Sequence, residues 1–229
     1  MKPVIDDKSC SGETTVTDYD GNVYSTVQIG TQCWMRENMK STHYEGGGTI
    51  TLSTASSTTS AYYYYPANKQ ENVATFGLLY NWPAVMNGSP STDNGQVQGI
   101  CPTGWHVPTN SEWATLIDNV QADSDNWCGG DPSYIAAALS SEYNWSNYTS
   151  SCVIGNPKVT HNQTCFSVLP SGYNYSGDVA SCAYFWTSYQ YPSNYDYAYC
   201  YELYMYNSHV RSSTGYKANK YSVRCIKNY

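Results

Sequence analysis

Nine cysteines are spread along this 229-residue chain, and they limit its possible folds more than any other feature. They stand at positions 10, 33, 101, 128, 152, 165, 182, 200 and 225. Dispersed cysteines in this number are typical of a domain stapled by disulfides in an oxidising compartment. A structural zinc site is disfavoured, because there is no C-x-x-C pair and Cys152, His161 and Cys165 have the wrong spacing. Since nine is odd, at least one cysteine stays outside an intramolecular bridge.

Charge and hydropathy exclude several classes of function. The net charge is −7 with only 11 Lys and Arg, so the chain lacks the basic patch that nucleic-acid binding requires. No apolar run approaches the roughly 18–20 residues of a membrane-spanning helix, and we expect no direct membrane insertion. The segment 1–7 lacks the apolar run of a signal peptide, so we interpret Met1 as the start of a mature chain.

Tyrosine dominates the aromatic residues, with 25 Tyr against 7 Trp and 3 Phe, while charged residues make up only 13% of the chain. Tyrosine supplies contact area at low entropic cost and is enriched in antibody binding sites for that reason. The alternative is a β-rich domain that uses tyrosine in its strands. Composition alone leaves both interpretations open.

The N-terminal part of the sequence predicts strands and a loop. Asp20-Gly21 separates two runs of strand type, 15–18 and 23–29, which predicts a hairpin within residues 10–40. The polar, small and glycine-bearing segment 45–61 predicts a long exposed loop.

Two helices are predicted in the middle of the chain. Thr109 and Glu112 form a capping-box pattern that starts the first. The second is predicted to start at Pro132 with Asp131 as its N-cap. The expected buried positions are Trp113, Leu116, Ile117 and Val120 in the first helix, and Ile135, Ala138 and Leu139 in the second. From about residue 164 short β-type runs take over, so we expect a single α+β domain over residues 1–229 with small antiparallel sheets.

Seven blocks of sequence, in order, resemble one known family. They are 17–24 (TDYDGNVY), 29–38 (IGTQCWM, then Glu37 and Asn38), 77–82 (GLLYNW), 99–113 (GICPTGWHVPT, then Glu112 and Trp113), 166–173 (Phe166-Ser167, Leu169-Pro170 and Gly172-Tyr173), 185–188 (FWTS) and 222–225 (SVRC). Together they resemble the Fibrobacter succinogenes major paralogous domain, which occurs in surface proteins of gut and rumen bacteria. This family is similar to C-type-lectin-like proteins and to formylglycine-generating enzymes. The resemblance implies a C-type-lectin-like fold with long loops.

The resemblance also implies a set of disulfides. It pairs Cys10 with Cys33, Cys101 with Cys225, and Cys128 with Cys152, and we expect Cys165 and Cys182 to form a fourth bridge. The sequence departs from the family pattern at Cys165, Glu202 and Tyr221, where Gly, Arg and Phe are common. Of these departures, only Cys165 could rearrange a bridge.

Members of this family are recurrent targets of diversity-generating retroelements, which rewrite Asn codons into codons for Tyr, Ser, Asp, His and similar residues. Residues 184–225 have that composition, and we predict that they form a variable ligand-binding region. The alternative is that these tyrosines only fill cross-strand pairs, as we expect of Tyr199 and Tyr201. The predicted ligand-binding residues are Tyr189, Tyr191, Asn194, Tyr195, Tyr197, Tyr204, Tyr206, Asn207, His209, Arg211, Ser212, Ser213, Tyr216, Asn219 and Tyr221.

The expected function is extracellular ligand binding by an adhesin domain on a bacterial surface structure, such as a pilus tip or a lipoprotein. The expected partner is a host, bacterial or phage surface protein or glycan. The alternatives are a phage receptor-binding protein and a structural cell-envelope domain without a specific ligand.

An enzyme is disfavoured, and we expect no cofactor and no metal. Formylglycine generation would need two nearby redox cysteines late in the chain, and Cys200 has no close partner in sequence. A calcium lectin would need a Glu-Pro-Asn type triplet, which is absent. The sequence also has no nucleophile elbow or phosphate loop. Its histidines are scattered: we expect His106 to have a structural role and His209 to contact the ligand.

Overall fold

The computed structural model describes residues 8–173 and 179–229, which contain three small β-sheets and four short α-helices joined by long loops. The segment 1–7, interpreted above as the start of a mature chain, lies outside these residues. The helices are α1 (Val73–Phe76), α2 (Trp82–Met86), α3 (Asn110–Gln121) and α4 (Ala136–Leu139). The fold is therefore α+β, as predicted, and strands outnumber helices.

The first sheet has the strand order β1-β2-β3-β11-β7, and the second has the order β4-β5-β6. The third has the order β10-β9-β8 and is antiparallel throughout. The strands are β1 (Thr15–Thr17), β2 (Val23–Ile29), β3 (Gln32–Met35), β4 (Thr51–Leu52), β5 (Tyr62–Tyr64), β6 (Leu79–Tyr80), β7 (Trp105–His106), β8 (Cys182–Gln190), β9 (Tyr197–Tyr204), β10 (Arg211–Tyr216) and β11 (Ile226–Lys227).

The predicted N-terminal hairpin is confirmed. β1 pairs antiparallel with β2, and the turn between them is closed by the Asp18 carboxylate, which accepts a hydrogen bond from the backbone N–H of Asn22 (2.9 Å). Gly21 has φ +81°, a left-handed conformation that glycine adopts without strain. The neighbouring Tyr24 hydroxyl donates to Asp18 (2.6 Å) and fixes the turn to the core.

The first predicted helix is confirmed, including its cap. Thr109 is the N-cap of α3, and its side chain and that of Glu112 form a reciprocal capping box. Trp113, Leu116 and Val120 are buried as predicted, whereas Ile117 is only partly buried.

The second predicted helix begins later than expected, at Ala136 instead of Pro132. The Asp131 carboxylate does not cap it, because it accepts hydrogen bonds from the N–H and hydroxyl of Ser133 (2.8 and 2.6 Å). Asp131 also closes a tight turn by bridging to Cys128. The predicted buried positions of this segment, Ile135, Ala138 and Leu139, do lie in the core.

The segment 45–61, predicted to be one long loop, contains the short strand β4. This strand pairs in parallel with β5, so the sheets are not all antiparallel as expected. Ile50, immediately before the strand, is buried and holds the segment to the core.

Three disulfides staple the fold and confirm three predicted pairs: Cys10–Cys33, Cys101–Cys225 and Cys128–Cys152. The predicted fourth bridge between Cys165 and Cys182 is wrong, since these residues and Cys200 carry thiols. Cys182 packs in one hydrophobic cluster, whereas Cys165 packs against another.

These two clusters lie on opposite faces of the third sheet. Successive β8 residues alternate between them: Tyr184 and Trp186 belong to the first cluster, and Ala183 and Phe185 to the second. Both faces of this part of the sheet are therefore buried, which holds β8 firmly in the core.

A buried arginine ties the C-terminal segment to the core. Arg224 lies over the rings of Phe166 and Phe185, at 4.6 and 5.4 Å. Its guanidinium donates hydrogen bonds to Asn38 and to the carbonyls of Phe166 and Ser167. Among the described helices, none is long and apolar enough to cross a membrane.

Candidate ligand-binding surface

The third sheet and the turns beside it carry the predicted ligand-binding residues. Because its strands are antiparallel, most of these residues fall at two opposite ends of the sheet. The β8–β9 turn and the end of β10 lie at one end of the sheet, which we call the upper end. The β9–β10 turn lies at the other, lower end. The predicted surface is therefore two groups of residues joined along β10.

Helix α3 covers the lower part of one face of this sheet. The Trp113 ring stacks on Tyr201, with centroids 5.0 Å apart and an interplanar angle of 15°. The Tyr201 hydroxyl donates to the backbone carbonyl of Asn110, the first residue of α3 (3.2 Å). Tyr201 is buried, as expected of a residue that fills a cross-strand pair.

Above Tyr201, the same face carries five tyrosines that are partly or largely exposed: Tyr189, Tyr191, Tyr197, Tyr199 and Tyr216. We call them the tyrosine platform. The Tyr189 and Tyr199 rings stack at 5.3 Å and 6°, and Tyr191 meets Tyr199 edge-on at 5.6 Å. Tyr197 and Tyr216 are a cross-strand pair with ring centroids 5.6 Å apart. The platform thus consists of two neighbouring groups of rings, one formed by Tyr189, Tyr191 and Tyr199 and the other by the cross-strand pair Tyr197 and Tyr216.

The opposite face of the sheet supports the platform from below. Ala198 and Gly215 are a cross-strand pair there, both buried, and the Tyr221 and Trp186 rings pack beneath Gly215. These two rings are 4.3 Å apart, and the Trp186 indole N–H donates to the carbonyl of Tyr80 (2.8 Å).

The end of β8 is held by a neighbouring loop. The backbone N–H of Ser188 donates to the carbonyl of Pro108, and its hydroxyl donates to the carbonyl of Thr92 (2.9 and 3.0 Å). One step further, the N–H of Gln190 donates to the Ser91 hydroxyl (2.7 Å). The strand that carries Tyr189 is therefore fixed on both sides.

Two predicted residues extend the platform at the β8–β9 turn. Tyr195 is 72% exposed, and Asn194 is also exposed. The turn is ordered by backbone hydrogen bonds from Tyr191 to Tyr197 and from Tyr197 to Asn194 (2.9 and 3.0 Å). Its exposed side chains are thus presented on a closed loop.

The lower group surrounds the β9–β10 turn. Tyr204 stacks on Tyr206 at 5.1 Å, and Tyr206 meets Tyr148 from another loop at 6.2 Å. His209 contacts the edge of Tyr134 at 5.0 Å. Asn207 belongs to the same turn, where its side chain accepts a hydrogen bond from the backbone N–H of His209 (3.1 Å).

The family model of the Fibrobacter succinogenes major domain matches residues 27–227. The chain belongs to this family. No curated protein and no solved structure matches it significantly. The matched range contains the whole third sheet, so the tyrosine platform is part of the Fibrobacter succinogenes major domain itself.

Two predicted residues of this major domain have a supporting position. Tyr221 is only 4% exposed and stacks on Tyr184 at 4.7 Å, so its prediction as a surface contact is wrong. Asn219 is half-buried and donates to the Tyr221 hydroxyl (2.9 Å).

Three predicted residues lie along β10, between the two ends of the major domain's third sheet. Arg211 and Ser212 are exposed and Ser213 is half-buried. The Arg211 guanidinium pairs with the buried carboxylate of Glu202 at 3.5 Å.

Tyr199 was expected only to fill a cross-strand pair, yet it lies at the centre of the platform. Tyr199 and Tyr201 lie two positions apart on β9, so their side chains point to the same face of the sheet. They differ in exposure because the first turn of α3 covers Tyr201 and does not reach Tyr199. Desolvation raises the pKa of the Tyr199 hydroxyl, and the nearby Tyr191 and Tyr189 raise it further.

The buried histidine of the major domain has structural contacts. His106 is buried, with its Nε2 2.8 Å from Glu112 and its Nδ1 2.8 Å from Asn228, which agrees with the structural role expected of it. Within residues 8–173 and 179–229, no group of three or more His, Cys, Asp or Glu is arranged to hold a metal ion.

Proposed function

We propose that this chain is an extracellular ligand-binding domain with a C-type-lectin-like fold, and that its tyrosine platform contacts the ligand. One observation carries the proposal: five neighbouring tyrosines, of which Tyr216 is exposed and the other four are partly exposed, lie on a sheet face whose reverse side is closed by Trp186 and Tyr221. A monomeric domain has no packing need for such a group of rings on its surface.

The chemistry of the platform suits recognition. Tyrosine rings offer flat apolar faces to sugar rings or to apolar protein side chains, and their hydroxyls donate and accept hydrogen bonds. The rings already contact one another, so little side-chain freedom remains to be lost on binding.

One face of the sheet carries the partly exposed platform, and the other face is buried in the core. This difference supports diversification of the platform by a retroelement. Exposed positions tolerate substitution at a cost within about 0.5 kcal/mol, whereas the buried rings beneath them do not. A reverse transcriptase gene beside the coding sequence, with a template repeat that differs from it only at adenines, is the genomic evidence that would establish this.

We further propose that the domain is carried on a bacterial surface structure such as a pilus tip. Its partner is then a host, bacterial or phage surface protein or glycan. Three disulfides in the described residues fit an oxidising environment of this kind.

The test is a glycan and surface-protein array probed with the wild-type chain and two triple variants. The first replaces Tyr191, Tyr197 and Tyr216 of the platform with alanine. The matched control replaces three exposed tyrosines elsewhere, Tyr19, Tyr143 and Tyr229. We expect the platform variant to lose at least about 30-fold in affinity, as when a hot spot is removed. The control variant should bind like wild type, and both variants should keep the wild-type melting temperature within about 4 °C.

Two results would contradict the proposal. If both triple variants bind like wild type, the ligand is bound elsewhere. If the wild-type chain binds no array member, the structural cell-envelope alternative is favoured.

A further inference from the structure

Strand β10 is an open edge of the third sheet. The opposite edge, along β8, is occupied: the N–H of Trp186 donates to the carbonyl of Ser222 (3.1 Å), and the N–H of Gly172 donates to the carbonyl of Cys182 (2.9 Å). β10 pairs with β9 on one side only.

The strand register shows which backbone groups of β10 point away from the sheet. The N–H of Lys217 donates to the carbonyl of Asp196 (2.8 Å), one step beyond the pair Tyr197 and Tyr216. Hydrogen-bonded and non-hydrogen-bonded pairs alternate in an antiparallel ladder. The residues of β10 that bond to β9 are therefore 211, 213 and 215. The backbone groups of Ser212, Thr214 and Tyr216 face outward.

The β8–β9 ladder gives the same assignment independently. The N–H of Met205 donates to the carbonyl of Ser181 (2.9 Å), which makes 183/203 and 185/201 the bonded pairs on that side. Residues 200 and 202 of β9 are thus left to bond to β10. Their partners there are residues 213 and 211, the same residues that the β9–β10 register assigns to this ladder.

The outward groups of this edge are unoccupied within the described residues. No hydrogen bond is formed there by the N–H groups of Ser212, Thr214 and Tyr216 or by the carbonyls of Ser212 and Thr214. The Tyr216 carbonyl accepts from the N–H of Asn219 (2.7 Å) and ends the edge. Proteins commonly block an open edge with Lys, Pro or a covering loop, and β10 (RSSTGY) contains neither residue.

We propose that β10 binds an extended segment of a partner polypeptide by strand addition. This inference rests on the proposed function, since it specifies the ligand class of the same surface. The outward donors and acceptors are two residues apart, a spacing that matches the backbone of another strand. Glycan hydroxyls have no such regular repeat.

The side chains around the edge indicate what that segment contains. Alternate residues of an added strand point toward the tyrosine platform, where apolar or aromatic side chains pack on Tyr216 and Tyr197. Arg211 is the only charged residue of β10, and 59% of its side chain is exposed beside the buried Glu202. An acidic residue of the partner near this end complements its charge.

The experiment uses a phage-displayed library of random linear peptides, selected on the wild-type chain. The selected peptides are then titrated against two variants. Thr214→Pro removes one outward N–H while the bonds of residues 213 and 215 to β9 remain, a position where proline is tolerated. Thr214→Val is the matched control, because it keeps the N–H and a β-branched side chain.

We expect the peptides to bind the Thr214→Val variant like wild type and the Thr214→Pro variant at least about ten-fold more weakly, because proline both removes the donor and obstructs pairing. A second readout does not depend on the variant folding. Saturating peptide should slow hydrogen exchange of the Ser212 and Thr214 amides in the wild-type chain.

Failure to select peptides, equal binding to both variants, or unchanged exchange of the outward amides would overturn the inference. A concentration-dependent dimer of the chain that Thr214→Pro abolishes would assign the edge to a second copy instead of a foreign partner.

If the platform variant loses array binding and Thr214→Pro does not, the proposed function stands and strand addition fails. If neither substitution changes binding, both fail.

Discussion

Gly215 shows how closely the core approaches the proposed binding surface. An added Cβ at this position would lie 2.5 Å from the Tyr221 ring and 3.0 Å from the Trp186 ring. Tyr221 is stacked between Tyr184 and Trp186, so it has no room to move away. Glycine here allows two large rings to pack directly beneath the sheet.

Gly215→Ala should therefore lower the free energy of unfolding by about 1–3 kcal/mol, the usual cost of overpacking a core. The neighbouring exposed substitution Thr214→Ala is the control and should change it by no more than about 0.5 kcal/mol. Urea denaturation followed by tryptophan fluorescence measures both. Equal stability of the two variants would show that the rings beneath Gly215 can shift freely.

At this scale, predictions from the sequence failed where an element distant in sequence decides the environment of a residue. Three cysteine pairs followed from the family resemblance and are correct. Cys165 and Cys182 are brought to different hydrophobic clusters by the sheet between them, which no sequence spacing reveals. Tyr199 and Tyr201 have the same parity, and the packing of α3 on Tyr201 is what buries that ring while Tyr199 stays partly exposed.

Among the elements, α3 is fixed at its first turn by a buried carboxylate. Burial opposes ionisation of Glu112, but hydrogen bonds from His106 and from the N–H and hydroxyl of Thr109 outweigh it. The pKa of Glu112 is consequently below its usual value of 4.5. A carboxyl with a lowered pKa stabilises the fold above the unfolded-state pKa, and this contribution is lost as the pH falls through the folded-state value.

Glu112→Gln should accordingly lower the free energy of unfolding by about 1–2 kcal/mol at neutral pH, where the charged hydrogen bonds are intact. The difference from wild type should shrink steadily below about pH 4.5 as the wild-type carboxylate is protonated. Glu71→Gln, at an exposed position, is the control and should match wild type throughout. A Glu112→Gln deficit that does not depend on pH would mean that the side chain contributes through packing and not through its charge.

Elements with local signals were predicted well. The N-terminal hairpin and α3 depend on residues within a few positions of each other, namely Asp18 with Asn22 and Thr109 with Glu112. The start of α4 was wrong because Asp131 uses its carboxylate in a tight turn. The pairing of β4 with β5 is parallel and depends on how the intervening loop returns, and a polar segment gives no signal for it.

On the scale of the whole molecule, the third sheet links the core to the proposed binding surface. Its lower part is buried on both faces by two hydrophobic clusters, and its upper part is buried on one face only. The Cys101–Cys225 bridge joins residues 124 positions apart and fastens the C-terminal segment just after Tyr221. We therefore expect the surface rings to tolerate substitution while the layer beneath them stays constant.

The proposed function requires that the platform tyrosines are presented by a scaffold that they do not help to stabilise. The most direct test randomises Tyr189, Tyr191, Tyr197, Tyr199 and Tyr216 together and scores protease resistance of the displayed chain. A matched library randomises five buried aromatic residues of the same region: Tyr184, Phe185, Trp186, Tyr201 and Tyr221. We predict that most platform variants remain resistant and that most variants of the buried set are digested, since losing a core aromatic residue costs about 3–5 kcal/mol. Equal loss of protease resistance in the two libraries would show that the platform tyrosines help to stabilise the scaffold, which contradicts the proposed function.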